Sequence, residues 1–148
     1  MITVRSLLKK KGAEVFSIAP DATILEAIQQ MTLHNVGALL VLENNRVAGI
    51  LSERDCTRKV LGAEKNPREV RVRDAMTPAV VYAYPEFTLE ACLAVMTQKR
   101  VRHLPVLTRE RQPVGMISLG DLGKEITDSQ AAEIQRLENL VTGIDTNV

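Results

Sequence analysis

Gly49-Ile50-Leu51-Ser52-Glu53-Arg54-Asp55 is answered 66 residues later by Gly115-Met116-Ile117-Ser118-Leu119-Gly120-Asp121. Each copy runs glycine, two apolar residues, serine, two variable residues, aspartate. The pattern reads as the end of a buried strand turning directly into a helix. Ser52 and Ser118 stand where an N-cap belongs, and Asp55 and Asp121 follow at capping-box spacing. Capping alone accounts for one such turn. Two in register, each bringing a hydroxyl, free backbone N–H groups and a carboxylate to a helix start, also suit a nucleotide. The amides and hydroxyl can take phosphate, and the carboxylate can accept from ribose hydroxyls.

The repetition spreads outward from these turns. At an offset of 65, Val15, Pro20, Thr23, Met31, Thr32, Val36, Leu39 and Val41 meet the same residue types at Val80, Pro85, Thr88, Met96, Thr97, Val101, Leu104 and Val106. One residue inserted in the second half then moves the offset to 66. The lead-ins echo too, Val4-Arg5-Ser6-Leu7-Leu8 against Val72-Arg73-Asp74-Ala75-Met76. The chain is an internal duplication.

Each half reads as β-α-β-β-α, which makes the fold class α/β (α+β). A short extended segment (Val15–Ile18; Val80–Tyr84) runs to a proline. A helix follows, capped by Thr23 with Glu26 three residues on, or by Thr88, which lacks the glutamate. Ile24, Ala27, Ile28 and Met31 form one helical face, repeated by Leu89, Cys92, Leu93 and Met96. Cys92 in the Ala27 slot reads as a small core residue. Strands at Ala38–Leu42 and Val47–Leu51, joined by Asn44-Asn45, match His103–Leu107 and Val114–Ile117. A half of this size buries only ~60% of its unfolded surface and is marginal alone. Two halves packed sheet to sheet solve that and create equivalent clefts between them. The expected divisions are residues 1–62, a polar linker 63–71, residues 72–127, and a helical tail 128–148. The tail carries Ile134, Leu137, Leu140, Val141 and Ile144, with Gly143 placed as a C-cap. This stripe packs either on its own domain or on a second subunit.

Composition removes several function classes. The 148 residues carry 19 basic and 18 acidic side chains, so bulk charge gives no nucleic-acid surface. Phe16, Tyr82, Tyr84 and Phe87 are the only aromatic residues, too few for a row of base-stacking platforms. No apolar run is long enough to span a membrane, and residues 1–11 hold no secretory h-region. Cys56 and Cys92 have no metal-ligand spacing; two reduced thiols fit a cytoplasmic protein with no metal.

The motifs together resemble the tandem CBS-domain family, the paired cystathionine-β-synthase-type or Bateman module. The matching stretches are Val72-Arg73-Asp74-Ala75-Met76-Thr77-Pro78, the helices led by Thr23 and Thr88, Arg102-His103-Leu104-Pro105-Val106, and both Gly-x-x-Ser-x-x-Asp turns. They cover roughly residues 1–127, and the specificity lies in their order, spacing and duplication. The resemblance implies a stand-alone regulatory module that binds an adenosine-containing ligand between its halves, AMP, ADP, ATP or NAD(H). It places Ser52 and Ser118 at phosphate and Asp55 and Asp121 at ribose. It sets Val81 and Phe16 as adenine walls, and Arg102 at phosphate beside His103 and Pro105. It also implies a homodimer, and a partner protein that reads the bound state. Arg54 is a second candidate cation, while Arg58 and Lys59 read as surface charge and His34 as solvated. Where the second half has Arg102-His103, the first has Gly37-Ala38; the expectation is therefore that Arg102 serves the Ser118/Asp121 cleft and makes it the tighter one.

Catalysis is not expected. His103, Ser118 and Asp121 hint at a triad, but no nucleophile elbow or oriented base is visible. The stronger rival is a ligand-independent dimerisation scaffold, in which both turns are only caps. A cation aimed into a cleft, Arg102, separates the two readings, because it has no structural task without an anion.

Overall fold

The computed structural model describes residues 2–78 and 81–142. Thr3 opens helix α1 (Val4–Lys11) in a reciprocal capping box with Ser6. Strand β1 (Ser17–Ile18) leads to α2 (Ile24–His34), where the Thr23–Glu26 box forms as the sequence predicts. β2 (Ala38–Glu43) and β3 (Arg46–Ser52) make a hairpin. Its turn, Asn44-Asn45, has both residues left-handed at φ 53° and 63°, the backbone of a two-residue turn that matches strand twist. Helix α3 (Glu53–Asp55) widens at once into a π-helical stretch, Cys56–Leu61. After the linker come α4 (Val72–Ala75), β4 (Thr77–Pro78), α5 (Leu89–Lys99), β5 (His103–Leu107), β6 (Pro113–Ser118) and α6 (Leu119–Thr142).

The duplication is visible bond by bond. Both hairpins carry a bulge at the same place, between Val41 and Leu42 and between Val106 and Leu107. Both strand ends are tied to the start of their own hairpin, Glu53 N–H to the Gly37 carbonyl at 3.0 Å and Leu119 N–H to the Arg102 carbonyl at 2.8 Å. The opening strands differ from expectation. The first shortens to β1, parallel to β2. In the second half Val80 lies outside the described residues, and only Ala83 bridges to Val106, also in parallel. The helix from Ser118 does not end at Thr127 but continues unbroken to Thr142.

The lead-ins change sides. Val4, Leu7 and Leu8 of α1 belong to the core of the second half, with Leu89, Cys92, Met96, Leu104 and Ile117. Val72 and Ala75 of α4 belong to the core of the first, with Ile24, Met31, Leu39, Leu51 and Val60. Equivalent backbone bonds fix each crossing: Val4 N–H to Phe87 O and Leu89 N–H to Ile2 O, matched by Val72 N–H to Ala22 O and Ile24 N–H to Val70 O. Each fully buried aliphatic side chain stabilises by ~1.5–3 kcal/mol, so the exchange ties the halves through apolar burial as well as through the linker. Ala27 and Cys92 are both wholly buried in equivalent slots. Burial pushes the Cys92 thiol up to about 11, and burial with Asp55 and Glu53 nearby does the same for Cys56. Neither is a reactive thiolate at neutral pH.

Beyond the core, α6 runs out into solvent. Ile134, Leu137 and Leu140 are 56%, 51% and 73% exposed, so they do not pack on their own domain. Gly143 and Ile144 and the side chain of Val141 lie outside the described residues.

Candidate functional site

The two serine–aspartate turns are formed alike but furnished differently. Ser52 N–H donates to Asp55 Oδ2 at 3.0 Å, Ser52 Oγ donates to the same oxygen at 3.1 Å, and Asp55 N–H donates to Ser52 Oγ at 3.1 Å. Asp55 Oδ1 takes the Thr77 hydroxyl at 3.2 Å and Lys59 Nζ at 3.1 Å. In the second half, Ser118 N–H donates to Asp121 Oδ2 at 2.8 Å and Asp121 N–H to Ser118 Oγ at 3.1 Å. Lys11, from the exchanged helix α1, donates to Asp121 Oδ2 and to the Met116 carbonyl, each at 2.7 Å. Burial by itself raises the Asp121 carboxyl, but the Lys11 ammonium and the Ser118 N–H outweigh it and hold the group below its ordinary range.

Each turn borders a cavity. The first, about 490 Å³, has Ser52, Asp55, Ile50 and Thr77 on one side. Six cations surround it: Arg54, Arg58, Lys59, Lys99, Arg100 and Arg102. The second, about 230 Å³, is bordered by Ser118, Asp121, Phe16, Val36, Met116 and Lys11. Gly37 and His103 border both. His103 is mostly enclosed, and burial pushes its imidazole below the ordinary value against the upward pull of Asp121 and Glu53. It is therefore a neutral wall at pH 7.

Several expectations need correction. Arg102 faces the Ser52/Asp55 cavity, not the one floored by Ser118 and Asp121. Arg102 lies just before β5, which itself pairs with β6 of the same half, and the space beside Gly37 receives the His103 ring, since a Cβ on Gly37 would lie 3.4 Å from His103 Nε2. Lys59 and Arg58 are not mere surface charge: both border the cavity, and Lys59 also donates to the Ala75 carbonyl at 3.0 Å. His34 is half-buried and stacked on Phe16, ring centroids 3.9 Å apart, rather than solvated. Pro105 is buried in β5 and paired with Met116, and Val81 packs on the second core; neither borders the cavities. Phe16, Ser52, Arg54, Asp55, His103, Ser118 and Asp121 do.

Sequence reasoning missed Lys11, Lys59, Thr77, Lys99 and Arg100. Lys59 was within reach, since it lies four residues after Asp55, where helical side chains meet. Lys11 gave no local signal, being 110 residues from its partner. His103, Ser118 and Asp121 do share a cavity, but the Ser118 hydroxyl accepts from Asp121 N–H. No hydrogen bond joins His103 to either among the described residues. Nor do the described residues hold a cluster of potential metal ligands, or a helix long and apolar enough to cross a membrane.

Comparison with known proteins places this geometry. The CBS domain family model matches twice, over residues 4–62 and 72–128. The mitochondrial CBS domain-containing protein CBSX3 of Arabidopsis thaliana is 32% identical over 95% of this chain and 72% of its own length. The solved CBS domain NE2398 superposes with a TM-score of 0.80 at 42% identity, covering 84% of this chain and 97% of that one. The CBS domain pair of MJ0100, solved with methylthioadenosine and S-adenosyl-L-methionine, shares the fold at a TM-score of 0.77. It is 18% identical and covers 87% of this chain and 98% of that one. With both halves matched by the family model and the same α+β architecture in its solved relatives, the chain belongs to the CBS-domain family and is a tandem pair of its motifs.

Proposed function

We propose that the chain is a regulatory module that takes an adenine nucleotide, AMP, ADP, ATP or NAD(H), in the cleft between its CBS motifs. Occupancy is passed on through conformation or dimer state to a partner protein, without catalysis. One observation carries this reading. Of the six cations around the Ser52/Asp55 cavity, only Lys59 has an ion-pair partner among the described residues. Mutual repulsion of Arg54, Arg58, Lys99, Arg100 and Arg102 is a standing cost to the fold that an anion would relieve. The adenosyl ligands of the MJ0100 domain pair support the choice of adenosine.

Thermal melts with AMP, ADP, ATP, NAD(H) and S-adenosylmethionine, with GMP as control, test it. A ligand at 100 times its dissociation constant adds ~2.7 kcal/mol, which for a chain of this size raises the midpoint by roughly 5–11 °C. The scaffold reading keeps one specific observation in its favour: both serine–aspartate turns are satisfied as caps, while α6 presents an uncovered apolar stripe. It predicts no shift with any adenosyl compound. In both readings the stripe of Ile134, Leu137 and Leu140 is assigned to a homodimer contact.

A further inference from the structure

We propose that Lys11 is a displaceable plug of the second cavity: its ammonium occupies the Asp121 oxygen that a ligand's vicinal diol needs, so nucleoside binding there and docking of the end of α1 exclude each other. This rests on the adenine-nucleotide reading and adds to it a regulation of the Ser118/Asp121 cleft by the chain's own N-terminal helix.

Two consecutive lysines fasten the end of α1 to α6. Lys10 Nζ donates to Glu125 Oε1 at 3.0 Å and Lys11 Nζ to Asp121 Oδ2 at 2.7 Å. The two carboxylates stand four residues apart, on one helical face. The first half is wired differently. There the ammonium on Asp55 comes from Lys59, four residues on, which is also tied to the Ala75 carbonyl and the Thr77 hydroxyl. In the duplication the place of Lys59 belongs to Glu125, an acid. Asp121 therefore draws its cation from 110 residues away.

That contact lands where a ligand has to. A carboxylate oxygen has about two lone-pair directions, and those of Asp121 Oδ2 are filled by the Ser118 N–H at 2.8 Å and by Lys11. A vicinal diol grips a carboxylate with one hydroxyl on each oxygen, so it must take one of these two places. The Ser118 N–H cannot yield, because it belongs to the cap that opens α6, on a residue paired with His103 in the hairpin. Lys11 can. At about 230 Å³ the cavity is below the ~300–1,000 Å³ of ordinary ligand pockets. Lys11 is part of its wall, and withdrawing a four-carbon side chain enlarges it beside Asp121.

The departure is local. Lys11 is the last residue of α1, its side chain is 33% exposed, and Gly12 follows it at φ 102°. Val4, Leu7 and Leu8 stay in the second core and Lys10 stays on Glu125, so only the final side chain has to swing into solvent. Its other bond, to the Met116 carbonyl at 2.7 Å, lies on β6, which pairs only with β5 among the described residues. Water can replace the ammonium at that strand edge. Because plug and ligand compete for one oxygen, each weakens the other by the same factor. Whatever holds the end of α1 down lowers affinity at this cleft, and an occupied cleft frees the end of α1.

Calorimetric titration of the full chain with adenosine, which brings the diol without a phosphate, tests this. Lys11→Met should bind adenosine at least ~10-fold more tightly than wild type, since one charge-assisted competitor is gone. Lys11→Arg keeps the cation and should bind no more tightly than wild type, and Asp121→Ala should abolish the phase that Lys11→Met tightens. A merely structural lysine would weaken binding or leave it alone when removed, so the sign of the Lys11→Met effect decides. Site-resolved acetylation of wild-type lysines, read by mass spectrometry, needs no variant: Lys11 should be labelled faster with saturating adenosine than without. Slower or unchanged labelling, or adenosine bound no more tightly by Lys11→Met, would overturn the plug and leave the nucleotide reading standing. If neither wild type nor Lys11→Met takes adenosine, AMP or ATP, both fall.

Discussion

Gly115→Ala should destabilise the fold through a contact with the other end of the chain. A Cβ at Gly115 falls 2.8 Å from both methyls of Leu8 and 3.3 Å from its Cγ, where carbon atoms rest at ~3.5–4.0 Å. Leu8 is only 8% exposed and belongs to the second core, so it has little room to swing aside. Overpacking of this kind costs ~1–3 kcal/mol, partly offset by ~0.4–1 kcal/mol from the stiffer unfolded chain. A net loss of about 1–2 kcal/mol lowers the midpoint by ~2–8 °C at this size. Leu8→Ala alone opens a cavity at ~2–5 kcal/mol. The alanine methyl at 115 occupies part of that space, so the double variant should be at least ~1 kcal/mol more stable than the two losses added together. Gly49 is the equivalent glycine, yet it meets a different obstacle. Its Cβ would fall 2.6 Å from the Thr77 carbonyl oxygen and 2.9 Å from Met76 Sδ. The first of these is backbone, so Met76→Ala should not rescue Gly49→Ala. Urea unfolding followed by circular dichroism, with unchanged slope, measures all of these. Additivity of Gly115→Ala and Leu8→Ala within ~0.5 kcal/mol would refute the exchanged packing of α1.

Three further outcomes are expected. Burial holds His103 below the ordinary ~6.5, so the unfolded chain takes up its proton first as the pH drops. Stability should therefore decline from about pH 6.5 down to the folded value; His103→Gln should remove that slope, and an NMR titration midpoint at or above 6.5 would refute it. Arg100 closes α5 in the left-handed region at φ 56°, where the first half uses Asn35. Arg100→Asn should raise stability by ~0.5–2 kcal/mol in thermal melts while weakening tripolyphosphate binding, and equal signs for both effects would contradict the assignment. Truncation after Thr127 removes Ile134, Leu137 and Leu140 and should weaken self-association measured by sedimentation; an unchanged dimer constant would show that the stripe has no part in it.

What was legible in the sequence followed from local rules repeated twice. Capping spacing located Ser52, Thr23, Thr88 and Ser118, and alternation located both hairpins, because neighbours in sequence decide those features. The glycine that opens each motif was legible as a pattern but not as a cause. Its reason is the seat it leaves for Met76 and Thr77, or for Leu8, contacts made from remote segments. The side to which each lead-in packs was invisible for the same reason: Val4 and Val72 look alike, and only three-dimensional packing says that each serves the other half. Arg102 was recognised as a cation for an anion but given to the wrong cavity, since the alternation of a strand says which face a residue takes and not which turn lies opposite. Lys99 and Arg100 stood in plain view beside it. Their significance depends on a helix end in one half meeting a turn in the other.

The exchange of lead-ins also sets an order of events during synthesis. Every member of the first core, from Phe16 to Met76, lies in one uninterrupted stretch of chain. The second core instead draws on Ile2 to Leu8 and then on Val81 to Leu122. The chain is thus a continuous unit inserted into a discontinuous one. As it leaves the ribosome, the inserted unit can close once Met76 has emerged. The apolar face of α1, made before the inserted unit, has its complete packing only once Leu122 has been added, and until then it is a segment for a chaperone to shield.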